Sequence, residues 1–323
     1  MNEFQGACHQ FAPLRAIGQA KMLLCLVFLF ALPILTEATT VWIDTDVAIG
    51  SPFRDVDDAF ALLLAVRSPD LKIAGISTTY GNASLRVTTA AAHDLLSKLE
   101  PRLKIYAGAE TGKTFDRETE ASTALAATLR QQRGLTYVAL GPLTNLATFQ
   151  AIHPDLARRI NRVIFLGGTT PGTVLRFGRR HSIRVHDANV LKDPAAVARL
   201  LRSKIPVTLV PVPVAAELSV AATDLDAMRG YAPGNFIQAK SRFWLWFWTK
   251  FVGTEGAPIF DGAAILAAAQ PEQLAMETRF GTIDSGGNLV VSESRQSDGR
   301  AVLAATKISD RGKASVTKKL RAP

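Results

Sequence analysis

Short apolar runs alternate along this chain with longer stretches whose apolar positions recur every three or four residues. Residues 40–43, 72–78, 103–107, 135–140, 162–166 and 207–210 read as buried strands. Between them, 56–66, 84–99, 119–132, 143–150 and 194–203 carry helical periodicity; in the first of these Ala59, Leu62, Leu63 and Val66 share one side. Buried strands separated by helices predict an α/β fold: an open, mostly parallel, doubly wound sheet with helices on both faces. After about residue 275 the pattern changes to short strands and turns, which predicts a small antiparallel C-terminal addition. No linker or internal repeat interrupts residues 39–312, so they read as one domain, followed by a basic tail over 313–323.

Acidic residues crowd the first strand-to-helix junction: Asp44 and Asp46, then Asp55, Asp57 and Asp58. In an open α/β sheet the carboxyl ends of strands are where ligands bind. Carboxylates this close repel one another, and a hard cation with oxygen ligands, Ca²⁺ or Mg²⁺, relieves the repulsion. Helix capping by Asp55, with Asp57 and Asp58 on the positive end of the helix dipole, explains part of the cluster and leaves Asp44 and Asp46 unexplained. An EF-hand loop does not fit, because Ala48, Gly50 and Pro52 break the alternation of acids. The haloacid-dehalogenase phosphatases also begin with Asp-x-Asp at a strand end, but Ala48 stands where their motif has Thr or Val.

The chain resembles the calcium-dependent nucleoside hydrolases, the N-ribohydrolases of inosine-uridine preferring type. Asp44, Asp46, Asp57, Asp58 and Ala59 are similar to the opening Asp-x-Asp-x-Gly-x-Asp-Asp-Ala. Ten residues separate Asp46 from Asp57 where that motif has three, an insertion of seven around Gly50 to Arg54. Further matches follow in the family's order: Thr79-Tyr80-Gly81-Asn82, Gly141-Pro142-Leu143-Thr144-Asn145, Leu166-Gly167-Gly168, Asp187-Ala188-Asn189 with Asp193-Pro194, and Phe260-Asp261. The resemblance implies hydrolysis of a ribonucleoside to ribose and free base. It also implies Ca²⁺ held by Asp46, Asp58, Asp261 and the Leu140 carbonyl. Asp46 would be the general base toward a water bound to the metal. Asp57, Asn82, Asp187 and Asn189 would hold the ribose hydroxyls, with His181 in reach of the sugar and Asp44 orienting the loop. A small-molecule nucleoside partner, no nucleic acid and a homo-oligomer are implied as well.

Three departures change the expectation. The insertion is expected to reach over the pocket mouth. Asp187 replaces a glutamate and reaches one methylene less far. Phe260 replaces the histidine that assists the departing base, which removes a proton donor and points to purine substrates. In the aromatic segment 243–251, a helical projection puts Phe243, Phe247, Phe251, Trp244 and Trp248 on one broad core stripe, and Trp246 apart, able to stack on a base. His186 is a further candidate beside the Asp-Ala-Asn motif. Two rivals remain at this point: a non-catalytic protein that binds a ribosylated ligand, and a metal-dependent phosphatase.

Composition narrows the setting. Residues 23–35 form an uncharged, apolar run of 13, short for a membrane span and suited to a signal-peptide core. Residues 1–38 therefore read as a leader, with Met22 as a possible true start, and the protein as exported, periplasmic or secreted. Cys8 and Cys25 both fall in that leader, so disulfides, thiol catalysis and zinc–thiolate sites are excluded for the mature chain. The net charge of +9 comes from scattered basic residues and reads as a solvated surface.

Overall fold

The computed structural model describes residues 37–322 apart from 113, 114, 133 and 297, so almost all of the expected leader lies outside the described residues. In chain order the strands are β1 (Thr39–Thr45), β2 (Leu71–Thr78), β3 (Ile105–Ala107), β4 (Leu135–Ala139), β5 (Ile160–Leu166), β6 (Arg176–Phe177), β7 (Ile183–Arg184), β8 (Val207–Val210), β9 (Ser219–Val220), β10 (Ala257–Pro258), β11 (Leu274–Ile283), β12 (Leu289–Ser292) and β13 (Arg300–Ile308). Nine of them form one sheet in the order β12-β11-β13-β8-β5-β4-β1-β2-β3, while β6 pairs with β7 and β9 with β10. From β3 across to β13 every pairing is parallel, and β11 is antiparallel to both β12 and β13. This is the expected doubly wound sheet with its antiparallel C-terminal addition.

The topology places the site. The chain runs outward from β1 through β2 to β3, then returns to the other side of β1 to lay down β4, β5 and β8. Connections diverge where that order reverses, leaving a crevice at the carboxyl ends of β1 and β4. Both faces of β1 are buried, which explains its unbroken apolar sequence. Val41 and Ile43 point into a cluster with helices Asp57–Val66 and Phe260–Ala269, while Trp42 points to the opposite face with Tyr137, Phe149 and Phe165. The register of β1 on β2 shifts at Trp42, opposite Gly75. A Cβ on Gly75 would collide with the Trp42 indole, so only glycine lets that ring lie across β2.

Residues 313–321, set apart by the sequence as a basic tail, belong to the fold. They continue helix Asp310–Arg321, whose Val316 and Leu320 are buried. Arg67 donates to the Lys319 carbonyl at 2.7 Å, and Arg321 pairs with Asp224 at 2.6 Å. Their basic residues lie on the solvent side of an amphipathic helix, and charge density hid the apolar positions three to four residues apart. Among the described residues no helix is long and apolar enough to cross a membrane.

Candidate active site

Two helices buried around their whole circumference carry the central acids on their first turns. Asp57 and Asp58 open helix Asp57–Val66, and Asp261 follows Phe260 at the start of helix Phe260–Ala269. The positive ends of both helix dipoles therefore face negative charge. One carboxylate oxygen from each of Asp57, Asp58 and Asp261 lies within 4.8 Å of the others, and all three residues are buried. Burial, then mutual repulsion, raises Asp57 and Asp261 well above the ordinary carboxylate range. Burial also lifts Asp58 to about 6, although the Thr45 hydroxyl donates to it and opposes the rise. Such a set could hold a cation, and every donor in it is a hard oxygen.

Asp46 stands beside this triad rather than within it. Its pKa is raised well above normal by burial and then by the charge of Asp58, and its Oδ2 accepts the Asn82 backbone N–H at 2.5 Å. A Cβ on Gly81 would occupy the space of the Asp46 carboxylate, which gives the Tyr-Gly-Asn motif a steric reason. Asp58 and Asp261 of the implied metal ligands fall in this close set with Asp57, and Asp46 lines the same pocket beside them.

A cavity of about 150 Å³ opens onto these acids. Its wall brings together Asn82, Leu140, Asp187 and Asn189, along with His186, Lys192 and Phe260. Asp187 accepts from Gly168 N at 2.6 Å and Val190 N at 3.1 Å, capping helix Ala188–Lys192. Burial still raises it to about 6, against the pull of those N–H groups. The Asn189 amide donates to the carbonyls of Leu140 at 2.6 Å and Leu166 at 3.1 Å, binding the ends of β4 and β5. The Leu140 carbonyl keeps a second lone pair.

Behind the pocket, Asp44 is fully buried. Ser77 and Asn145 donate to one of its oxygens at 2.6 and 2.7 Å, and burial holds it near pKa 6. Asn145 also donates to the Thr78 carbonyl at 3.1 Å and accepts from Ala109 N at 2.7 Å, tying β1, β2 and the segment after β3 together. Thr144 donates to Asp193 at 2.5 Å. The Gly-Pro-Leu-Thr-Asn block is therefore a structural junction that holds the Asp44 side chain in place. Asn145→Ala is expected to cost about 2–4 kcal/mol, because it leaves a buried carboxylate short of a donor; the midpoint of urea unfolding measures it.

Four expectations fail. His181 is exposed at φ +51° on the turn between β6 and β7, outside the wall of the acid pocket; His186 takes its place there. Trp246 does not face the pocket either: it is 52% exposed and stacks on Phe243 at 5.7 Å. Of the broad aromatic stripe only the row Trp244 and Trp248 turns inward, while Phe243, Phe247 and Phe251 remain exposed, because the projected arc was wider than the buried face. The insertion lies against the aromatic helix, Ala232–Trp246, with Phe53 edge-on to Phe243 at 5.5 Å, and nothing from Gly50 to Arg54 lines the acid pocket.

Asp55, finally, is not the helix cap. It precedes the boundary residue Val56, whose N–H it accepts at 2.9 Å. It also accepts from the Trp244 indole at 2.7 Å, and the Asn82 side chain holds its backbone through bonds of 2.8 and 3.2 Å. Asp55 lines the pocket, so the aromatic helix reaches the site through Trp244. A partner 189 positions away leaves no local pattern that could have disclosed this bond.

Comparison with known proteins agrees with this architecture. Residues 41–320 match the family described as inosine-uridine preferring nucleoside hydrolase. The pyrimidine-specific ribonucleoside hydrolase RihA of Salmonella agona (strain SL483) is 27% identical over 263 residues, covering 72% of this chain and 82% of the relative. Among solved structures, the plant nucleoside hydrolase PpNRh1 superposes with a TM-score of 0.75 at 23% identity, covering 89% of this chain and all of the other. The purine-preferring ribonucleoside hydrolase from Gardnerella vaginalis gives 0.73 at 20% identity, covering 88% and 98%. With its acids gathered at the carboxyl ends of β1 and β4 and a family match running through nearly the whole domain, the chain belongs to the inosine-uridine preferring nucleoside hydrolases and is an N-ribohydrolase.

Proposed function

We propose that the protein hydrolyses purine ribonucleosides with Ca²⁺ bound at its acid cluster. The observation that carries this reading is the buried triad of Asp57, Asp58 and Asp261 at the floor of a pocket that also presents Asp46, Asp187 and Asn189. The donor set fits Ca²⁺, which accepts six to eight oxygens, and the Leu140 carbonyl extends it. When bound, Ca²⁺ offsets the repulsion among the carboxylates and makes nearby water more acidic.

Breaking the C–N bond leaves positive charge on the ribosyl ring and negative charge on the base, and water supplies a hydroxyl to the sugar and a proton to the base. Asp46 accepts the proton of the attacking water. The Asn82 N–H holds its Oδ2 in place for this. Buried carboxylates around the ring oppose the developing positive charge, and none must reorganise to do so. Asp187 and Asn189 hold ribose hydroxyls by accepting from them, in directions fixed by their backbone partners; the Asn189 amide protons are already given to Leu140 and Leu166.

Phe260 gives the base an apolar wall and no proton. A purine departs with solvent protonation on its imidazole ring, whereas a pyrimidine lacks that route. Relatives carry both preferences in their names, pyrimidine-specific for RihA and purine-preferring for the Gardnerella enzyme, so the pocket must decide. Base release from inosine, adenosine, uridine and cytidine is expected to favour purines by at least about tenfold in kcat/KM, about 1.4 kcal/mol. Uridine cleaved as fast as inosine would overturn the preference and move the donor role to His186.

Export completes the proposal, on the strength of the apolar run 23–35. Mass spectrometry of envelope-fraction protein should find an N-terminus near Ala38; an intact chain confined to the cytosol refutes export.

A further inference from the structure

A roomy cavity lies remote from the acids. It has a volume of about 900 Å³ and lies at the amino ends of β5 and β8, bounded by Ile160 and Pro206. The acid pocket lies at the other end of β5, against Leu166, about 20 Å away by the length of a seven-residue strand. Arg158, Arg199, Arg202 and Lys204 line the remote cavity, and no lining residue is acidic. Arg158 has one exposed partner, Asp155 at 3.3 Å, a pair too solvated to neutralise the site. Arg199, Arg202 and Lys204 have no carboxylate partner among the described residues.

Gln150 adds an independent observation. Its side chain also lines this cavity, and the residue is only 8% exposed. Both its amide oxygen and its amide nitrogen are buried with no hydrogen-bond partner, as is Nε of Arg199. A buried amide left wholly unpaired is costly, and such groups in folded proteins have a partner or a function. An amide offers one acceptor and a two-proton donor side by side, the complement of a sugar diol or a nucleobase edge.

We propose that this cavity is a second ligand site, for a nucleotide-sized phosphate ester. Guanidinium and ammonium groups bind the phosphate, and Gln150 pairs with a polar edge of the sugar or base. The volume suits such a molecule. Six aspartates line the acid pocket, more carboxylate charge than one Ca²⁺ balances, so it disfavours the same phosphate and the two sites select ligands of opposite character.

Titration calorimetry on the Ca²⁺-loaded full chain tests this with three probes: inorganic phosphate, ribose 5-phosphate and AMP. AMP should bind, and the exposed pair of changes Arg202→Glu with Lys204→Glu should weaken it at least about tenfold, whereas Asp261→Asn should leave it unchanged. Binding of AMP and ribose 5-phosphate above inorganic phosphate supports recognition by Gln150; equal binding of all three overturns the ester and leaves a bare anion site. Gln150→Leu separates a ligand group from a structural one. It should raise Tm by a few degrees, because it removes an unpaired buried amide, while AMP affinity falls. A lowered Tm with unchanged affinity, no probe bound at millimolar concentration, or AMP binding abolished by Asp261→Asn would each refute the second site. Failure of this site leaves the hydrolase reading untouched, since base release is measured separately.

Discussion

Asp46→Asn is expected to lower kcat by about 10²–10⁴ while the protein keeps its metal. That factor is the usual contribution of a positioned general base. Asparagine is isosteric and its amide oxygen still accepts from Asn82 N, so the loop retains its geometry. What disappears is the capacity to take a proton. Asp46 lies beside the 4.8 Å triad, so metal content should remain near one Ca²⁺ per chain. Asp261→Asn should behave differently: it removes one of three charges from the triad and should reduce metal content and turnover together. Metal analysis alongside steady-state kinetics distinguishes the two. If Asp46→Asn instead strips the metal while Asp261→Asn retains it, the assignments exchange; if both turn over normally, the acid cluster is not the catalytic site.

Chelation should destabilise the protein far more at pH 8 than at pH 5. Burial raises Asp44 and Asp58 from an ordinary value of 3.8 to about 6, and it also raises Asp46, Asp57 and Asp261 well above that ordinary value. Between those values the folded state binds more protons than the unfolded state, so the metal-free chain loses stability as pH rises. The contribution of these groups is complete below about pH 4 and is lost as pH passes through about 6. Protons therefore offset the repulsion at pH 5, whereas at pH 8 a bound cation is needed to relieve it. A cation present at about a thousand times its Kd adds about 4 kcal/mol. For a chain of this size that corresponds to about 8–16 °C in Tm. Scanning calorimetry with and without chelator at both pH values reads the difference; a shift of equal size at both, or none at pH 8, would count against a metal at this cluster.

Much of the fold was legible because its signals are local. Buried strands such as 207–210 stand out as uninterrupted apolar runs, and helices such as 194–203 carry their periodicity within a few turns. The ordered motifs indicated the family, and the acids Asp46, Asp57, Asp58 and Asp261 did converge, since each follows a strand or opens a helix at one edge of the sheet. The Phe260 departure was equally visible, and the structure puts that ring in the pocket wall.

What the sequence determined by itself was element type, strand-end chemistry and family, properties set by neighbours along the chain. Only tertiary structure decided which acids form the closest set, because two buried helices pack their first turns together and bring Asp57, rather than Asp46, into the triad with Asp58 and Asp261. It also decided that Trp244 rather than Trp246 reaches the site, since a helical projection orders side chains around an axis but does not say which arc the rest of the fold covers. His181 was lost from the site for a related reason: six residues before Asp187 is a distance along the chain, and the turn between β6 and β7 spends those residues on the surface. Gln150 read as one more position in a helix, and only the packing of distant segments left its amide buried, unpaired and facing a basic cavity.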